Sequence, residues 1–426
     1  MNRSGQSCIG IDWVKQTARS IGLVAAILLV LTVVATAAAQ AQTLTVLHYF
    51  SGGQDGGGPQ GLVAVDRGGN VYGSAPYGGS RNGVCGQQGG CGTVFRSNYK
   101  NGVWIFAPLH VFQGGNDGMT PVAGVTLGPD GAIYGTTLFG GGTGCGGTGC
   151  GTVFKLTPPA SFCHMVLCPW TETVIYRLNG SSDPCCFFGG VIVDTAGNVY
   201  GLAEGGGSGG YGAVYKLSPS GGGYTLSVIY SFQGGHDGAA PLSTLTMDAA
   251  GDLYGTATYD GGDGFGTVFK LVRNAGSWSF HLLYTFTGGS DGGNPEGNVV
   301  LDSAGNLYGA TAYLGGVFEL TPSGGSWNYS LIVPFLGGLQ SPISLDSAGN
   351  IYGTNYADGS HGDGSVFELT YSQGTWTHNI LHSFGGGDGA LPLSGVAFDA
   401  SGNLCGTTTY GGSHGGQGTA WQLTPQ

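Results

Sequence analysis

Six aspartates recur at one place in a glycine-rich pattern. Asp55, Asp117, Asp183, Asp237, Asp291 and Asp388 each stand in a stretch close to GGxDGxxP. Carboxylates gathered by a repeat can hold a cation. Two of them can also divide acid and base roles when their surroundings push their pKa values apart. Asp-Gly is equally ordinary turn chemistry, and it recurs wherever the turn recurs. An active site breaks symmetry, and six equivalent aspartates do not, so the turn reading carries more weight. A sixth unit, LGGLQSP, lacks the aspartate altogether.

A second set is aromatic. Tyr77, Phe139, Tyr259, Tyr313, Tyr410 and, one residue early, Tyr356 follow short apolar runs just before Gly-rich loops; one unit has Gly205 there, beside Glu204. Flat rings on one face can stack on sugar rings, with Asp and Asn beside them as hydroxyl partners. As large apolar bodies they can equally cover the glycine loops and seal the joints between repeats. Glu204, Glu296 and Asp260 are unlike carboxylates that an enzyme acting on polysaccharide would use.

Cysteines form a third set. Cys85/Cys91 and Cys145/Cys150 each close a Gly-rich loop, Cys163/Cys168 sit in an enlarged loop, and Cys185 and Cys186 are adjacent. In an exported chain such close pairs read as local disulfides, although the connectivity of Cys185 and Cys186 does not follow from sequence. Spacing for a zinc site is absent. Cys405 replaces a packing tyrosine and reads as a buried free thiol. Oxygen-rich loops at Asp260/Asp263 and Asp358/Asp363 lack calcium-loop spacing. No nucleophile elbow, HExxH or P-loop occurs, no catalytic residue, metal or cofactor is implied, and the nine histidines are scattered and read as bystanders.

The elements that must position these residues are short and repeated. DRGGNVYG (66–73), DTAGNVYG (194–201), DSAGNLYG (302–309) and DSAGNIYG (346–353) are variants of one octet. Aligned on its tyrosine, the copies fall at Tyr72, Tyr134, Tyr200, Tyr254, Tyr308 and Tyr352, with Cys405 in a seventh. A GTVF-like landmark follows each copy, ending at Phe95, Phe154, Tyr215, Phe269, Phe318, Phe367 and Trp421. Three landmarks in register, the third an aromatic-ended strand, define a repeat architecture. Each unit holds four apolar runs with period-2 alternation, such as LSTLTMD, DLYGTAT, GTVFKLV and SWSFHLLYTF. Four strands in about 50 residues make one propeller blade. The expected fold is therefore all-β: a seven-bladed β-propeller of four-stranded antiparallel blades, closed by pairing of the N-terminal run LTVLHYF with the C-terminal run GTAWQLT. D-x-x-G-N reads as the turn between the first two strands, displaced in the second copy, where Gly128 takes the Asp place and Asp130 follows.

The N-terminus is different. Arg3, Lys15 and Arg19 precede the apolar run Ile21–Ala35, and small residues follow. This reads as a cleaved signal peptide over residues 1–41, with the propeller over 42–426 and a secreted product. An uncleaved anchor is the alternative; the run is short for a bilayer span. The formal charge of −12 over the chain, with a basic leader, makes the remainder more acidic still. Nucleic acid and anionic membrane are therefore not expected partners. Ninety glycines beside 11% aromatic and only 8% charged residues suit Gly-rich turns between apolar strands better than disorder.

The combination of DLYGTAT, GTVFKLV and LLYTFTGGSDGGNP with its six cousins resembles the GloVer tandem repeat of bacterial secreted "choice-of-anchor" proteins. The resemblance implies a propeller-like repeat and export, and it brings no catalytic residues. The chain stops at QLTPQ rather than in an anchoring segment, which favours release. Together these readings lead to a monomeric, non-catalytic binder of extracellular polysaccharide or cell-envelope glycan, with a polysaccharide-acting enzyme and a protein scaffold as alternatives.

Overall fold

The computed structural model describes residues 42–159, 169–178, 184–335 and 338–425. Seven four-stranded antiparallel sheets are present, as the repeat predicts. Blade 4 is representative. Its strands are Thr246–Met247, Leu253–Ala257, Thr267–Asn274 and Ser277–Thr285, paired in that order. Blades 1, 2, 3, 5 and 6 repeat this order around their second strands Val71–Ala75, Ile133–Thr137, Val199–Ala203, Leu307–Ala310 and Ile351–Asn355. Blade 7 has Ala397–Phe398, Leu404–Thr408 and Thr419–Thr424, and its fourth strand is Thr43–Tyr49 from the other end of the chain. The first strands of blades 4 to 7 line one common cavity, which makes them the innermost.

Within a blade the two sequence landmarks meet. The second strand's glycine faces the aromatic ring of the third: an added Cβ at Gly73 would lie 2.5 Å from the Phe95 ring, and at Gly309 2.4 Å from Phe318. No side chain fits there, so the octet must end in glycine. The third strand shifts register against the fourth at the same step in blades 1 to 6, Val268/Phe269 in blade 4. This bulge falls immediately before the aromatic landmark and changes the register with which it meets the outer strand.

The octet's aspartate organises the opposite face. Asp194 Oδ1 accepts the N–H groups of Ala196 and Asn198, while Oδ2 accepts the Asn198 side-chain amide and the Tyr200 hydroxyl. The same set recurs at Asp66, Asp302 and Asp346. Burial works to raise Asp194, but these hydrogen bonds outweigh it and hold the carboxyl below its ordinary value. In the displaced second copy, Asp130 takes the Tyr134 hydroxyl at 3.1 Å. In blade 7 Cys405 has no hydroxyl to offer, and the Gln422 amide bonds Asp399 at 2.9 Å instead. Cys405 itself is a fully buried free thiol, pushed up to about 12 by burial.

Candidate functional site

Loops leaving the outer strand of one blade meet loops leaving the second strand of the next on one face, here called the Gly-rich face. Isolated antiparallel bridges tie them: Gly57–Tyr77, Met119–Phe139, Ala239–Tyr259, Gly293–Tyr313, Ala390–Tyr410 and, in blade 3, Cys185–Gly205. A left-handed residue follows each bridge, at Gly58, Thr120, Cys186, Ala240, Asn294 and Leu391, with φ from 50° to 64°. At Gly58, Thr120, Ala240, Asn294 and Leu391 the N–H reaches back to the preceding blade, as in Ala240 to the Tyr211 carbonyl and Asn294 to Phe265. The glycine loops are thus a bonded rim.

The aspartates belong to this rim. Each accepts a backbone N–H at the start of its own loop: Asp55 from Ser51, Asp117 from Gln113, Asp237 from Gln233, Asp291 from Thr287 and Asp388 from Gly385, at 2.6–2.9 Å. Each also binds a side chain from the outer strand: His48, His110, Tyr230, Tyr284 and His382, respectively. Three histidines that read as bystanders therefore hold one repeated structural place, which tyrosine fills in other blades. The signal was available, since each stands six or seven residues before its aspartate. Asp183 lies outside the described residues. This arrangement directs the aspartates into turn locking rather than into a free acidic ring. At Asp55 burial opposes ionisation, and the bonds from Ser51 and His48 outweigh it, so its pKa falls.

The aromatic set behaves differently. Its backbones are pinned by the bridges, yet the rings of Tyr77, Tyr259, Tyr313 and Tyr410 remain 43–54% exposed. Phe139 is partly buried against the blade 1–2 core, and Tyr356 is half-buried and makes no such bridge among the described residues. Tyr211 and Phe188, which the sequence did not single out, are also exposed. Phe265 stacks on Tyr313 with centroids 5.3 Å apart, and Tyr211 covers Gly234. Sealing of glycine loops and exposure of flat rings coexist on this face.

At the axis the Gly-rich face opens into a cavity of about 160 Å³, lined by Gln60, Phe188, Ser243, Thr244, Glu296 and Asn298 among others. Asn298 also lines a wider cavity of about 530 Å³ between the innermost strands of blades 4 to 7. Glu296 has no hydrogen-bond partner among the described residues, and burial raises its pKa; burial also raises that of Glu204 on the rim. Glu296 borders the axial cavity, whereas neither Glu204 nor Asp260 is among its lining residues.

Two of the expected disulfides are present, Cys85–Cys91 and Cys145–Cys150. The first starts within a single helical turn, Val84–Gln87, where no helix was expected. Cys163 and Cys168 lie outside the described residues. Cys185 and Cys186, expected as disulfide cysteines, are free thiols in this structure: the rim bridge holds both to Glu204 and Gly205.

No curated protein matches the chain. Among solved structures, virginiamycin B lyase from Staphylococcus aureus superposes with a TM-score of 0.54 at 12% identity, covering 90% of this chain and 99% of that one. The extracellular domain of a hybrid two-component system from B. thetaiotaomicron gives 0.54 at 11% identity, covering 90% and 39%. Identities this low establish the propeller fold alone. Within this seven-bladed β-propeller, residues 143–340 match the Gloeobacter/Verrucomicrobia repeat.

Proposed function

We propose that the protein is a secreted, non-catalytic binder of extracellular polysaccharide or cell-envelope glycan, and that it binds through the Gly-rich face. The observation that carries this reading is the set Tyr77, Tyr259, Tyr313 and Tyr410. Their backbones are fixed by bridges while their rings stay open to solvent. Preorganised flat rings suit sugar stacking because little freedom is lost on binding. Polar groups at the axial opening, Gln60, Ser243 and Asn298, supply hydroxyl partners. The two local disulfides fit an oxidising compartment.

A glycan array with the purified chain tests this. Binding to one polysaccharide class is expected, and Tyr259→Ala with Tyr313→Ala should weaken it about tenfold or more without loss of the folded state. An array with no signal, or binding untouched by the double variant, would count against the face. Glu296 favours a second reading, an enzyme acting on polysaccharide, because a buried carboxyl with a raised pKa is suited to donate a proton. Release of reducing ends that disappears in Glu296→Gln or Glu204→Gln would replace binding by catalysis.

A further inference from the structure

The rim's repeated pattern breaks in blade 3. At the place of the exposed ring stands Gly205, and opposite it in the bridge stands Cys185. A Cβ at Gly205 would lie 2.9 Å from the Cys185 sulfur, so the thiol fills the space in which other blades begin their ring. Cys186 occupies the left-handed place, with φ 64°, and its carbonyl accepts the Glu204 N–H at 3.1 Å. Both cysteines are half-buried and free.

We propose that Cys185 and Cys186 form a redox-active vicinal dithiol that closes reversibly to a disulfide by exchange with an external disulfide. The Cys185 thiolate attacks one sulfur of the incoming disulfide, forming a mixed disulfide and expelling the first thiolate. Cys186 then loses its proton to Glu204 or to solvent and attacks the Cys185 sulfur, expelling the second. Two thiols give up two electrons, and the external disulfide is reduced to two thiols.

Position on the rim sets the order of attack. Cys185 stands opposite the ringless Gly205, whereas Cys186 is held in the left-handed place against Glu204. The neighbouring Cys186 thiol lowers the Cys185 pKa, and Cys185 with burial raises that of Cys186, so Cys185 is the more readily ionised sulfur. Glu204 acts electrostatically on both sulfurs, and burial raises its own pKa, bringing it closer to that of a competent proton acceptor. Adjacent residues hold their Cα atoms roughly 3.8 Å apart, below the 4.4–6.8 Å that disulfides usually span. The closed pair is therefore strained and easily reduced, which is the character of a labile rather than a structural bridge. No group of three His, Cys, Asp or Glu residues is arranged for a metal ion among the described residues, which favours exchange over metal binding.

The test uses the full chain with Cys163→Ser and Cys168→Ser, reduced, desalted and treated with glutathione disulfide at neutral pH. Thiol titration should show two thiols lost beyond those that re-form Cys85–Cys91 and Cys145–Cys150. Mass spectrometry should find the peptide holding Cys185 and Cys186 lighter by two hydrogens, without glutathione, and restored by dithiothreitol. Cys186→Ser should trap glutathione on Cys185, whereas Cys185→Ser should capture it about tenfold more slowly. Persistent free thiols, or glutathione retained when both cysteines are present, would overturn the proposal. The unsubstituted chain tests the same point independently. A Cys185–Cys186 link on mild oxidation supports the proposal, and a stable link from either residue to Cys163 or Cys168 refutes it.

Discussion

Asp194 accepts four hydrogen bonds within seven residues, and that local concentration explains why the octet is spelled so strictly. Asp is needed for two acceptor oxygens, Asn to fill one of them, and Tyr to bring a hydroxyl from the following strand. Asp194→Ala would strip these groups of their acceptor, and removing one side of such a set costs about 1–3 kcal/mol. The sign of its pH dependence follows from the depressed folded pKa. The stabilisation is present above the ordinary carboxyl pKa and is lost as pH falls through the lower folded value. Urea unfolding should therefore show the wild type ahead of Asp194→Ala at neutral pH, with the gap closing in acid. A gap independent of pH would remove the carboxylate from the explanation. The turn was legible in sequence because Asp and Gly carry their own local chemistry. The contact between Gly201 and the Tyr215 ring was not, because it joins two landmarks that only strand pairing brings together.

Blade junctions repeat a stacking pair as regularly as the blades repeat their turns. Tyr230 of blade 3 stacks on Phe280 of blade 4 at 4.3 Å, Tyr284 on Tyr329 at 4.7 Å, and His48 on Phe106 at 3.6 Å. In each pair the first ring also bonds the loop aspartate, so stacking and turn locking share one side chain. Blade 2 departs from this. By register Glu172 holds the place of Phe280, its Oε1 is buried without a partner, and burial, with Asp117 nearby, pushes its pKa up to about 7. A carboxyl with a raised folded pKa favours folding most when protonated. Its relative stabilisation is complete below the unfolded value near 4.5 and is lost as pH rises through about 7. Glu172→Gln should therefore raise the melting temperature above neutrality and change it little in mild acid; an increase equal at both ends of the range would exclude titration of Glu172. Period-2 alternation made strand number and order readable, since one repeat was sampled seven times. The rim was less readable, because Tyr77 or Tyr259 looks the same in sequence whether its ring is buried or, as here, exposed.

The seven sheets close only because residues from both ends of the chain share the last one. Thr43–Tyr49 pairs beside Thr419–Thr424, the Phe50 N–H bonds the Gly418 carbonyl at 3.0 Å, and the Thr407 hydroxyl reaches the Pro59 carbonyl of blade 1. Leu47 and Phe50 are buried in the cluster that also holds Val71 and Phe95, so the N-terminal segment serves blade 1 as well as blade 7. Removing residues 43–50 would forfeit these two buried side chains, each worth about 1.5–3 kcal/mol. It would also leave the third strand of blade 7 as an unpaired edge, a template for pairing with other chains. Against a typical domain stability of about 5–15 kcal/mol, that loss is large. Calorimetry of the truncated protein should show a melting temperature lower by roughly 5 °C or more, and light scattering should show association at concentrations where the intact chain stays dispersed. Melting and scattering both unchanged would mean that the ring does not depend on its N-terminal strand. Supplying the missing segment as a peptide gives the converse test: if edge pairing is the cause, the peptide should restore part of the lost stability, whereas a peptide of the same composition in scrambled order should not.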